Sequence, residues 1–155
     1  MVAALKKHDN DMDIKQRLRL WLRLLRASRI IEAEVRDRLR QRYQTTLPRF
    51  DVLAALYKAP DGLRMNELSR QLMVSNGNVT GIVDRLVSDG QITRTTIEGD
   101  RRALKVRLTD DGYRRFASMA AEHEGWVAEL LSDYNDDEVD TMIDLLDRIQ
   151  CEEDE

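Results

Sequence analysis

The side chains best suited to chemistry lie between residues 75 and 102. In Ser75-Asn76-Gly77-Asn78-Val79-Thr80-Gly81, small hydrogen-bonding groups precede and interleave with an apolar repeat of Val79, Ile82, Val83, Leu86 and Val87. If that repeat is one face of a helix, Gly77, Gly81, Asp84, Arg85 and Ser88 lie opposite it, with Asn78 and Thr80 on the flanks. An Asn amide can bond bidentately to an adenine edge, and Thr offers a hydroxyl and a methyl. Free N–H groups and the dipole at a helix N-terminus favour phosphate. Ser75, Asn76, Asn78, Thr80 and Arg85 are therefore candidate contacts to a DNA groove, although Asp84 beside Arg85 also reads as a local ion pair. Gly81 would cost about 1 kcal/mol relative to Ala in a helix interior. Either close approach to a phosphate backbone or tight packing on another helix would offset it.

A second group follows at Asp100-Arg101-Arg102, in a polar loop that starts at Glu98-Gly99. Arginines at the tip of such a loop suit a narrow minor groove, where negative potential concentrates. Asp100 would orient a neighbouring arginine. Taken alone, an Arg-Arg loop is also an ordinary solvated turn, so its context matters.

That context is set by the elements around it. Residues 13–43 contain no Gly or Pro and read as one long helix. Leu18, Trp21 and Leu25 lie on one face of it, and Leu20, Leu24, Ala27 and Ile31 on another. So broad an apolar surface needs cover from other elements or from a partner chain. Thr46 with Pro48 marks the start of a second helix, which Pro60-Asp61-Gly62 ends. A short helix, Met65 to Leu72, precedes Ser75, a good N-cap for the helix from Asn76 to Asp89, which Gly90 closes. The period then changes. Gln91 to Ile97 is rich in Thr and Ile, and Leu104, Val106 and Leu108 alternate with Lys105 and Arg107, as a half-buried strand does. Helix, turn and helix followed by a two-stranded basic hairpin form a winged helix-turn-helix. Thr109 caps a further long helix to about Ser132, and Asn135-Asp136-Asp137-Glu138 opens a last one with a capping-box pattern. The expected fold is mainly α with a small β wing. It is a single domain over 1–155, with a DNA-binding lobe over 46–109 flanked by long helices over 13–43 and 113–150, which the family resemblance given below makes the dimerisation helices.

Val79-Thr80-x-x-Val83-Asp84-Arg85-Leu86, then Asp100-Arg101-Arg102, then Leu108-Thr109-x-x-Gly112 resembles the MarR family of bacterial regulators. The resemblance extends over nearly the whole chain. It implies a homodimer joined by its N- and C-terminal helices, bound to pseudo-palindromic double-stranded DNA, usually as a repressor. It implies release by a small aromatic or anionic ligand. By position, Asn76, Asn78 and Thr80 would enter the groove, with Asp100 holding Arg102 in the minor groove. Many members carry a basic residue where this chain has Gly81.

The family's ligand cleft lies between the dimerisation helices and the winged lobe. Ser28, Arg29, Glu32 and Arg36 continue the face of Leu18, Trp21 and Leu25, with Arg40 alongside. Guanidinium groups there would suit a carboxylate or phosphate. An Arg29–Glu32–Arg36 ion network on solvated surface is the alternative. Residues 77–86 are also similar to the branch controlling aromatic-acid catabolism, some members of which answer to aromatic acyl-CoA thioesters.

Composition bounds the rest. The net charge of −4 hides a division, because Asp133 to Glu155 is strongly acidic whereas residues 15–50 and 94–107 are basic. A locally basic surface can hold DNA despite an acidic total. Cys151 is the only cysteine, so no intrachain disulfide forms, and His8 and His123 alone make a poor metal site. No cofactor is implied, and no phosphate-binding glycine loop or nucleophile elbow points to an enzyme. There is no membrane-length apolar run and no apolar signal core, so a cytoplasmic protein is expected. The competing class is a winged helix that binds protein rather than DNA.

Overall fold

The computed structural model describes the backbone over residues 2–149 and the side chains over 13–100 and 104–149. The order of elements is α1 (Val2–Tyr43), α2 (Leu47–Tyr57), β1 (Leu63–Arg64), α3 (Met65–Leu72), α4 (Asn76–Ser88), β2 (Ile92–Ile97), β3 (Asp100–Leu108), α5 (Asp110–Leu130) and α6 (Asp136–Leu146). Helices flanking a small three-stranded antiparallel sheet of order β1-β3-β2 match the expected fold class.

Local chemistry sets most of the boundaries. Thr46, Ser75, Thr109 and Asn135 sit in extended backbone, and each accepts a hydrogen bond from an N–H in the first turn of its helix. Such caps satisfy donors that the helix itself leaves unpaired. In α6 the box closes reciprocally: Asn135 Oδ1 accepts from Glu138 N–H and Glu138 Oε2 from Asn135 N–H, both at 3.0 Å. Gly90, with φ of 73°, ends α4 in the left-handed region.

Three boundaries differ from the sequence expectation. The first helix begins at Val2 rather than near residue 13, because nothing between breaks it. The wing turn is only Glu98-Gly99, so Asp100, Arg101 and Arg102 already belong to β3 and Ile97 pairs with Asp100. Gly99, with φ of 88°, allows so tight a reversal. Strand β1 was not expected at all. It is two residues long and pairs Leu63 with Val106 and Arg64 with Lys105. No periodicity can appear over two residues.

The core joins α1 to the lobe. Val35 and Leu39 of α1 pack with Phe50, Leu53 and Leu56 of α2, Leu68 of α3, Val79, Val83 and Leu86 of α4, Ile92 and Val106 of the sheet, and Phe116 and Met119 of α5. The N-terminal half of α1 has no such cover. Leu18, Leu20, Trp21 and Leu22 are exposed, and α6 buries no residue. No helix among the described residues is long and apolar enough to cross a membrane.

Candidate nucleic-acid interface

Helix α4 separates its two jobs by face. Val79, Val83 and Leu86 are buried and anchor it, whereas Ser75, Asn76, Gly77, Asn78, Thr80, Gly81, Asp84 and Arg85 are exposed. The anchor is rigid, so the polar face is held at a fixed angle to the lobe. Ser75 Oγ accepts the cap bond from Asn78 N–H at 3.4 Å. Thr80 donates its hydroxyl to the Asn76 carbonyl at 2.8 Å, which leaves its lone pairs and methyl turned outward. A group presented in this way accepts from a base edge or packs on a thymine methyl.

The expected pairing of Asp84 with Arg85 does not form. Asp84 bonds Arg94 of β2 instead, and Arg85 lies 3.3 Å from Asp89 one turn further on. Adjacent residues on a helix point about 100° apart, whereas i and i+4 lie on one face. The Arg94–Asp84 pair ties the recognition helix to the root of the wing, a role that sequence reading missed.

Gly81 has nothing within 4 Å of where a β-carbon would stand, so packing within the protomer does not call for glycine there. Gly77 is equally open. The side chains of Arg101 and Arg102 lie outside the described residues, and Asp100 is exposed at the start of β3. Cys151 and residues 152–155 also lie outside them.

The five candidate ligand residues, Ser28, Arg29, Glu32, Arg36 and Arg40, are all exposed on α1. Arg36 stands 3.9 Å from Glu32, and Arg40 lies 3.1 Å from Asp37. Arg36 and Arg40 also wall a groove of about 400 Å³ with Gln44, Leu47 and Pro48. Behind them a clasp holds α1 to α5. Arg38 bridges Glu34 at 2.7 Å and Glu129 at 2.6 Å, while Tyr43 donates to Glu122 at 2.6 Å and Arg42 reaches the same carboxylate at 2.9 Å. The Tyr43 bond, with Arg42 behind it, holds Glu122 below the usual carboxylate range, and Arg38 does the same for Glu129. Asp51 moves the other way: partial desolvation on α2 raises it and Glu32 adds to this, against the pull of His123. Among the described residues no group of His, Cys, Asp and Glu could hold a metal ion.

A family model described as the MarR family matches residues 45–104, the winged lobe. The transcriptional regulator PecS of Dickeya dadantii is 30% identical over 142 residues, covering 90% of this chain and 84% of its own. The chain belongs to the MarR family. Another relative, the transcriptional activatory protein BadR of Rhodopseudomonas palustris, is 29% identical over 84% of this chain and 77% of its own. Among solved structures, a MarR family regulator from Silicibacter pomeroyi superposes with a TM-score of 0.72 at 32% identity, covering 87% of this chain and 93% of that one. A mutant of MarR from E. coli complexed with operator DNA gives 0.76 at 25% identity, covering 88% and 96%. The MarR fold therefore extends over α1 and α5 as well as the lobe that the family model matches.

Proposed function

We propose that this MarR-family chain is a sequence-specific DNA-binding transcriptional regulator acting as a homodimer. The observation that carries the reading is the exposed polar face of α4, backed by a buried anchor and braced to the wing by Arg94–Asp84. Ser75, Asn76, Asn78, Thr80 and Arg85 would meet the major groove, and Asp100, Arg101 and Arg102 the adjacent minor groove. The similarity to a MarR protein complexed with operator DNA supports this. Exposed apolar residues on α1 and α6 suit a second copy of the chain, which would set the two recognition helices about one DNA turn apart.

A small anionic or aromatic effector would then shift the dimer to a spacing that fits only one half-site. Decisive release needs a differential affinity of several kcal/mol between the two forms. An aromatic acid or its CoA thioester is the class implied by the similarity of residues 77–86. Relatives described as a repressor and as an activatory protein both occur, and the family resemblance favours repression for this chain.

The test is fluorescence anisotropy against the DNA upstream of the chain's own gene, with an unrelated duplex, at several salt concentrations. A strong, salt-dependent preference for the upstream DNA is expected. Arg102→Ala should weaken binding and flatten the salt slope by about two for the dimer, since each protomer loses one phosphate-neutralising charge. Equal weak binding to both duplexes would favour a winged helix that docks on protein.

A further inference from the structure

The turn between α3 and α4 carries a cost that the fold does not require. Met73 leaves α3 with φ of 54° and ψ of 36°, in the left-handed region. A β-carbon crowds the backbone there, which is why glycine is the usual residue at such an exit. Helix α4 ends in the same region with Gly90. The backbone bonds of the α3 exit need no side chain. Met73 N–H donates to the Arg70 carbonyl and Val74 N–H to the Ser69 carbonyl, both at 3.2 Å. Glycine would make the same two bonds without the strain.

The Met73 side chain adds a second cost. It is 88% exposed, and among the described residues no other large apolar side chain is so bare; Val74 beside it is 41% exposed. The apolar surface of α1 and α6 suits a second copy of the chain, but Met73 belongs to the lobe, two residues before the cap Ser75 and at the root of the polar face of α4. A residue that is both strained and uncovered points to a contact made only in a complex. One turn earlier Arg70 is exposed and, among the described residues, in no ion pair. The one acid of α3, Glu67, is turned back to the Arg64 N–H at 2.7 Å. A cation and an apolar group three residues apart match the wall of a DNA groove, where phosphates alternate with deoxyribose faces. The unbranched, polarisable methionine side chain fits such an irregular apolar surface. We propose that Met73 packs on a deoxyribose at the wall of the major groove, with Arg70 on an adjoining phosphate.

The proposal rests on the DNA-binding reading above and adds to it a contact that carries no sequence information. Contacts of this kind set the register of a protein on the duplex, and base contacts then read it. Met73 precedes the cap of α4, so it stands at the wall of the groove when the N-terminus of α4 enters. Behind it Leu68 and Ser69 are buried, which fixes the turn to the core. A turn seated on one sugar therefore sets how far Asn76 and Asn78 reach toward the bases.

Anisotropy of the full chain with its upstream DNA and with an unrelated duplex, at several salt concentrations, tests the contact. Met73→Gly should melt a few degrees above the parent protein and yet lower affinity for both duplexes about tenfold, since a dimer makes the contact twice. Met73→Gln keeps the length and the strain and should lose as much, whereas Met73→Leu stays apolar and should lose little. The salt slope should not change in these three variants, because no charge is removed. Arg70→Gln should flatten it by about two for the dimer. Full affinity in Met73→Gly would overturn the proposal. Parent-like binding by Met73→Gln would also overturn it, since an apolar contact would then not be what the residue supplies. A loss confined to the upstream duplex would move Met73 to a base edge and overturn the deoxyribose contact. Every duplex carries deoxyribose, so the unrelated DNA reads the contact on its own. A wild type without preference between the duplexes, but weakened on both by Met73→Gly, would keep the contact and sink the sequence-specific reading. A wild type that binds neither duplex would overturn both.

Discussion

Gly81 shows how far one residue can separate stability from function. It lies in the middle of α4, exposed, with open space where a side chain would project. Replacing it by Ala should therefore stabilise the fold by about 1 kcal/mol, since helix propensity is the only term that changes. If the glycine instead serves close approach of DNA, the same substitution should weaken operator binding. Urea unfolding and anisotropy on Gly81→Ala measure the two effects separately. A stabilised variant with unchanged DNA affinity would remove Gly81 from the interface. Thr80 is a complementary case. Its hydroxyl proton is spent on the Asn76 carbonyl, so Thr80→Val would keep the methyl, remove the acceptor offered to DNA and also lose the bond to that carbonyl.

At the scale of elements, two joints hold α5 in place. The first is Gly112 on the Gln91 carbonyl. A β-carbon there would stand 2.0 Å from that oxygen, far inside van der Waals contact, and backbone cannot yield as a flexible side chain can. Gly112→Ala should destabilise by about 2–3 kcal/mol, seen as an earlier urea midpoint with little change in slope. Gly125→Ala, with nothing near its position, should have no such cost.

The second joint is the clasp of α1 to α5, and it depends on pH. Glu122 and Glu129 are held below their ordinary values by Tyr43, Arg42 and Arg38. Depressed carboxylates contribute stability above their unfolded values, and that contribution disappears as pH falls through their folded ones. Stability should therefore decline on acidification below the usual carboxylate range, and Glu122→Gln should show a shallower decline. Thermal unfolding followed from pH 7 down to pH 3 would reveal an unchanged slope if the clasp contributes nothing. The contacts are partly solvated, which keeps the effect modest.

At the scale of the molecule, the distribution of apolar surface matters most. Trp21 is 56% exposed and Ile149 65%, and Leu18, Leu20 and Leu22 of α1 with Ile143, Leu145 and Leu146 of α6 add to them. Patches of this kind on a small protein mark an interaction surface. Sedimentation should give a dimer, and Leu20→Glu combined with Trp21→Glu should give a monomer. Because two half-sites are bound together, the monomer should lose operator affinity by about a hundredfold or more. A wild-type monomer that retains full operator affinity would overturn the dimeric reading.

Much of this architecture is decided by neighbours three or four residues apart, which is why it is legible in the sequence. Caps at Thr46, Ser75, Thr109 and Asn135, the apolar period of Val79, Val83 and Leu86, and the strand alternation around Val106 all follow from local geometry, and so does the polar face of α4. Tertiary structure decided what pairs across the chain: Arg94 with Asp84, Tyr43 with Glu122, and β1 with β3. Those partners lie in different elements, and their encounter depends on how the core sets one helix against another. No local pattern encodes that angle. The same reason explains why the long apolar helix could be recognised as needing cover, while only the fold showed that its own protomer buries Val35 and Leu39 and leaves Leu18, Leu20, Trp21 and Leu22 bare.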